Sequence, residues 1–220
     1  KYFPVKRLLY VSSTEVFGEN PRLPMKEDHP LDPLNTYAVT KVAADRLCYT
    51  FWLEHNVPVI IARIFNSYGP RETHPYVIPE IISQFSKGNV VRLGNLEARR
   101  DFTYVHDTAK GLMAAICSDI PNGDVVNICS GKSYTVRELV EIIANLMEIK
   151  EYKIEIDPRR LRKRDIQEFR GDYSKLHKAT GWKPEIDIKT GLRLTIDWFY
   201  TNGCKWGWEN LLEGTIYDID

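Results

Sequence analysis

An excess of charge of either sign is the first thing missing from this chain: across 220 residues, 30 lysines and arginines meet 30 aspartates and glutamates. Such a balance excludes nucleic acid or an anionic membrane surface as the main partner. Apolar runs near the roughly 20 residues a membrane helix needs are absent as well, so no membrane partner is expected. The N-terminal Lys1-Tyr2-Phe3-Pro4 carries no signal-peptide pattern and no initiator methionine. Cysteine is scarce: Cys48, Cys117, Cys129 and Cys204 stand far apart with no Cys-x-x-Cys pair. That excludes a zinc ribbon or a disulfide scaffold and suits reduced thiols in the cytoplasm. No grouping of histidine, cysteine and carboxylates has metal-ligand spacing, so no metal is expected. Repeats and low-complexity segments are missing too. The length supports one substantial core, or one core with a small lobe.

What is present reads as alternating strands and helices. Arg7–Val11 and Val59–Phe65 are short continuous apolar runs, the pattern of buried parallel strands. Between them, after a proline-punctuated loop, Asn35 is placed to cap a helix from about Thr36 to His55. Strand, helix, strand is half of a doubly wound sheet. Further on, the pattern predicts a helix near 77–86 and strands at 90–93 and 101–105. Asp107 is expected to cap a helix to about residue 118. A strand at 125–128 precedes Thr135-Val136-Arg137-Glu138, a capping box that opens a helix to about 147. A strand at 153–156 and a closing helix at 190–200 follow. The aromatic tail, Trp206, Trp208 and Tyr217, suggests no definite role. None of the 13 glycines forms the Gly-x-Gly-x-x-Gly turn that opens a dinucleotide-binding sheet, so the chain is expected to begin in mid-domain, as a fragment.

Chemistry concentrates in Tyr37-Ala38-Val39-Thr40-Lys41 and, upstream of it, Ser12-Ser13-Thr14-Glu15. A tyrosine and a lysine four apart share a helix face, roughly 5–6 Å between β-carbons. An ammonium there favours the phenolate, which a proton-abstracting tyrosine needs near neutral pH. Any helix can carry this pair, so its weight comes from the surrounding motifs.

Those motifs, in order, are Tyr10-Val11-Ser12-Ser13-Thr14-Glu15-Val16-Phe17-Gly18, Tyr37-x-x-x-Lys41, and Arg63-Ile64-Phe65-Asn66-Ser67-Tyr68-Gly69-Pro70-Arg71. After them come Arg100-Asp101-Phe102-Thr103-Tyr104-Val105-His106-Asp107, Asn127-Ile128-Cys129-Ser130-Gly131, and Gly171-Asp172-Tyr173-Ser174-Lys175 leading to Gly181-Trp182-Lys183-Pro184. Together they resemble the extended short-chain dehydrogenase/reductase family, in particular its NAD-dependent nucleotide-sugar epimerases, dehydratases and decarboxylases. The resemblance implies an α/β fold: a partial Rossmann-type doubly wound parallel sheet with a small mixed α/β substrate-binding lobe. Residues 1–70 would belong to the NAD-binding domain with the catalytic residues. Residues 71–220 would form mainly the lobe, with about 100–130 returning to the first domain.

By the same resemblance, Ser13, Glu15, Tyr37 and Lys41 are catalytic. Ser12, Tyr37, Lys41 and Phe65 contact NAD, and Asn66, Arg71, Arg100 and Arg162 contact a nucleotide-diphosphate sugar. Arginine suits the pyrophosphate through bidentate, charge-assisted bonds. The run Arg159-Arg160-Leu161-Arg162-Lys163-Arg164 leaves open which member does so. Glu15 favours a 4,6-dehydratase, because removing a C5 proton and expelling the C6 hydroxyl requires a carboxylate. The Asp-Glu pair of the glucose-nucleotide dehydratases is Thr14-Glu15 here. UDP-glucuronate decarboxylase and nucleotide-sugar 4-epimerase are the alternatives, and a non-catalytic NAD sensor or interaction protein is one of another class. The family resemblance also implies a homodimer for a full-length parent, and inactivity for the isolated fragment.

Overall fold

A computed structural model describes residues 5–19 and 22–209. In chain order its elements are β1 (Leu8–Ser13), α1 (Thr36–His55), β2 (Val59–Ile64), β3 (Asn66–Tyr68), α2 (Val77–Lys87), β4 (Val90–Leu93), β5 (Arg99–Tyr104) and α3 (Val105–Ile116). Then come β6 (Val125–Ile128), β7 (Ser133–Thr135), α4 (Val136–Leu146), β8 (Lys153–Ile156), α5 (Ser174–Thr180) and α6 (Ile188–Thr201). The chain divides into two compact units: residues 1–67, 98–134 and 164–186 form the first, and 68–97, 135–163 and 187–220 the second.

In the first unit, β1, β2 and β6 form a parallel sheet in that order, with Leu8 opposite Val59 and Ile61 opposite Val125. The run Val59–Ala62 is apolar at every position because both faces of a central parallel strand are covered. One core packs Ile60, Ala62, Val126 and Ile128 against Ala115, Leu176 and Trp182. A second holds Val16, Phe17, Met25, Phe65, Cys129 and Phe169. This unit's other sheet runs β3-β5-β7. Helix α1 starts where its cap predicts: the Asn35 side chain accepts from the Ala38 N–H at 2.8 Å.

Asp107 does not cap α3. That helix begins at Val105, and Asp107 lies buried in its first turn, where Oδ2 accepts from the Glu185 and Ile186 N–H groups at 2.9 and 2.8 Å. A residue type that favours caps is here used to hold another loop's backbone. Strands β3 and β7 and helix α5 escape sequence reading because three to seven residues are too short for a period to show.

In the second unit, β4 and β8 pair in parallel, Val90 opposite Lys153. The Thr135–Glu138 capping box opens α4 with both reciprocal bonds present. The aromatic tail is core here: Trp206 is buried, stacks on Trp208 at 5.3 Å and packs against Phe199 at 5.0 Å. Its indole N–H donates to the Ser83 hydroxyl at 2.9 Å, which satisfies the one polar atom such a ring brings inside. Tyr217 lies outside the described residues.

Candidate active site

The first unit's β1 ends at Ser13, and the next four residues, Thr14–Phe17, make a single 3-10 turn. Ser13 caps that turn by accepting from the Glu15 N–H at 3.2 Å. Gly18 closes it at φ +61, where a β-carbon would fall 1.8 Å from the Asp32 carbonyl oxygen, so only glycine fits. The turn aims Glu15 toward the start of α1, where the Asn35 side-chain amide donates to Glu15 Oε2 at 3.1 Å. Asn35 therefore does two things: its oxygen caps α1 and its nitrogen holds the carboxylate.

Tyr37 and Lys41 lie on one face of α1, with Lys41 Nζ 5.7 Å from the Tyr37 ring centre and 5.6 Å from that of Tyr10. Lys41 Nζ also donates to the Val11 carbonyl at 3.2 Å, two residues before Ser13 on β1. An ammonium has three donors, so two stay available for a ligand. Tyr37 is half exposed (53%). Ser13, Glu15, Tyr37 and Lys41 are thus gathered where β1 meets the first turns of α1.

Other expected site residues have different surroundings. The Ser12 hydroxyl donates to Asp45 Oδ2 at 3.2 Å and is buried with it. Phe65 is a core ring among Val16, Phe17 and Cys129, leaving only its backbone for a ligand. Arg100 is held by Asp165 at 2.7 Å and by the Arg99 and Ile166 carbonyls, and lies over the Phe169 ring at 5.2 Å. Such an arginine braces its own unit. Asn66 is exposed at the start of β3. In the second unit, Arg71 and Arg162 are both exposed, and Arg71 adopts a left-handed backbone at φ +63. Within the basic run, Arg159 pairs with Asp157 and Arg160 with Glu80 and Asp157, which singles out Arg162 from its neighbours on that side.

Sequence reasoning missed three polar groups. Asp45, completely buried on α1, receives Arg63 Nε at 3.0 Å and Nη2 at 3.3 Å, and Arg46 Nη2 at 2.7 Å. Burial alone would raise its pKa; the two guanidiniums outweigh that and hold the carboxyl below its usual range. Arg63 is equally buried, over the Phe17 ring at 4.9 Å. A charge inside the apolar run of β2 was the available signal, since a buried arginine requires a partner. Asp101 is the third: it accepts from the Ser130 N–H and hydroxyl and from the Gly131 and Gly171 N–H groups, at 2.6 to 3.1 Å.

Residues 2–195 match the sequence profile of the family described as GDP-mannose 4,6 dehydratase. The chain belongs to that family. Similar proteins include the GDP-6-deoxy-D-mannose reductase of Pseudomonas aeruginosa, 36% identical over 86% of this chain and 65% of the relative. The UDP-glucuronate 4-epimerase of Thermodesulfobacterium geofontis is 31% identical over 92% of this chain and 62% of its own length. Among solved structures, the dTDP-glucose 4,6-dehydratase of Bacillus anthracis in complex with NAD aligns with a TM-score of 0.84 at 26% identity, covering 91% of this chain and 63% of that one. The chain therefore spans somewhat under two thirds of the length of these relatives. The comparison also fixes the Rossmann-type α/β class expected from the sequence.

Proposed function

We propose that the gene product containing this chain is an NAD-dependent nucleotide-sugar 4,6-dehydratase, and that the chain supplies its acid–base residues. The observation that carries this reading is Glu15, held by Asn35 on the turn that follows Ser13 and facing the start of the Tyr37 helix. A bound NAD supplies the hydride acceptor that oxidation of a sugar C4 hydroxyl needs. The residues fit its nicotinamide end: Lys41 has free donors for a ribose, and Tyr37 is exposed beside it. Tyr37 takes the C4 hydroxyl proton, and Ser13 shares the hydrogen bond. Glu15 removes the C5 proton and returns one to the departing C6 oxygen. The hydride that a bound NAD would have taken from C4 then returns to C6 and a proton to C5, so that the sugar loses one water overall and the cofactor ends as it began. Arg71 and Arg162 are the candidates for the pyrophosphate, with Asn66 as a further sugar contact. Four free cysteines suit a reducing cytoplasm. A homodimer is proposed through the exposed side of α1.

A second reading is favoured by the 36% identity to a reductase: Tyr37 would then donate a proton to a C4 ketone, and Glu15 would have no proton to remove. An epimerase likewise makes no demand on Glu15. The test is mass spectrometry of nucleotide hexoses, GDP-mannose first, after incubation with the complete gene product and NAD. Loss of 18 mass units in the wild type, with none in Glu15→Gln but continued reduction of NAD, is the expected result (~10²–10⁴-fold for a lost general base). Reduction of a 4-keto sugar with no dehydration would replace it with the reductase, an isomeric product with the epimerase, and loss of carbon dioxide from a glucuronate nucleotide with the decarboxylase.

A further inference from the structure

Helix α1 carries apolar residues on every side, with Val39, Leu47, Phe51 and Leu53 all exposed, and only Ala38 and Asp45 fully buried. An apolar stripe normally sets the rotation of a helix on a sheet. On α1 the exposed apolar residues Val39, Leu47 and Phe51 rival the inward line of Ala38, Val42 and Trp52, so apolar packing alone does not single out one rotation of α1 about its axis. Polar contacts remain to set it. Tyr37, Lys41 and Asp45 follow one another at four-residue intervals, one line along the helix. At the middle of that line Lys41 reaches the Val11 carbonyl, and at its end Asp45 takes the Ser12 hydroxyl and the Nε and Nη2 groups of Arg63. Val11 and Ser12 directly precede Ser13 on β1, and Arg63 is opposite Ser12 in the β1–β2 register.

We infer that the buried Ser12–Asp45–Arg63 cluster is a positioning device: it fixes the rotation of α1 so that Tyr37 and Lys41 face Ser13. This rests on the acid–base reading of Tyr37. Because bonds to a buried carboxylate are directional, a turn of the helix that carried Tyr37 away would break the Asp45 bonds to Ser12 and Arg63, leaving Asp45 only Arg46 of its own helix and Arg63 only the Glu27 carbonyl. Apolar groups of similar size would tolerate that turn. The arrangement gives Ser12 a role through Asp45 in place of contact with a cofactor.

The experiment compares the complete gene product with the double variant Asp45→Leu/Arg63→Met, which removes both charges together and leaves neither unpaired. Ser12→Ala serves as a milder second variant. Melting temperature reports folding, steady-state kinetics with the nucleotide sugar separate kcat from KM, and crystal structures of both proteins report the seat of α1. The expected result is a folded double variant with kcat at least tenfold lower, KM within threefold of wild type, and Lys41 displaced from the Val11 carbonyl. Ser12→Ala shifts kcat in the same direction by a smaller factor. Wild-type kcat in a folded double variant would overturn the inference. If the wild type and Tyr37→Phe behave alike on every sugar, the acid–base reading has failed instead. The crystal structures then decide: a Lys41–Val11 contact unchanged in the double variant, or in Ser12→Ala should the double variant not fold, overturns the device, and its loss sustains it.

Discussion

Asp101 shows how one carboxylate can join three segments and leave a pH signature. Burial pushes its pKa up, to about 6, against the pull of four donors from Ser130, Gly131 and Gly171. The folded value lies above the unfolded one of about 4. The native state therefore binds the proton first, and the stability gained is full below about pH 4 and lost as pH rises through about 6. Two pH units correspond to ~2–3 kcal/mol. Urea midpoints of the wild type and Asp101→Asn, measured from pH 4 to 7.5, should diverge on acidification, with the wild type gaining. A wild-type advantage that shrinks as pH falls would show that the donors, not burial, dominate. At neutral pH Asp101→Asn should already be less stable, because its amide would face N–H donors. At this scale the sequence was legible where spacing is local: Tyr37 and Lys41 share one face of α1 as their four-residue interval predicts, and Lys41 reaches the β1 backbone. It was illegible where the partner is remote. Nothing near Arg100 announces that Asp165, 65 residues on, takes its guanidinium, or that Asp45 takes the Ser12 hydroxyl.

Helices and strands of ordinary length were the readable elements, because caps and periodicity are local. The boundaries of α1 and the capping box of α4 follow from Asn35, Thr135 and Glu138 alone. The three-residue strands β3 and β7 exist only because β5 lies between them, a fact of tertiary pairing that no window of sequence contains. Asn35 was read as a cap and only half its work was visible. Its two functions can be separated. Serine caps a helix about as well as asparagine, so Asn35→Ser should change stability by less than about 0.5 kcal/mol. It replaces the amide that donates to Glu15 with a shorter hydroxyl, and a carboxylate held less firmly should slow water loss about tenfold while C4 oxidation, followed as NAD reduction, is preserved. Asn35→Ala removes cap and donor together and should also lower the folding free energy by about 1 kcal/mol. Equal effects of the two variants on stability would refute the division.

For the whole molecule, what is exposed argues as strongly as what is buried. Val39, Ala43, Leu47 and Phe51 repeat at four-residue intervals on α1 and are all exposed. They are offset by two residues, about 200° around a helix, from the line of Tyr37, Lys41 and Asp45. The face carrying Tyr37 and Lys41 and this apolar face are therefore on opposite sides of one helix. A stripe of that kind on a protein with a net charge of zero and a pI near 7.1 has little electrostatic repulsion to keep two copies apart at neutral pH. Self-association through α1 is the proposed outcome, and Leu47→Glu/Phe51→Glu is the variant that tests it. Sedimentation velocity between about 1 and 100 μM should show a concentration-dependent dimer for the wild type at pH 7 and a monomer for the variant. Both substitutions are on the solvent side, so the melting temperature of the protomer should move by no more than surface changes usually cause, about 0.5 kcal/mol in stability. A variant that dimerises as readily as the wild type would place the contact elsewhere. A variant that becomes monomeric yet keeps its kinetic constants would show that the two faces of α1 act independently, one for association and one for chemistry.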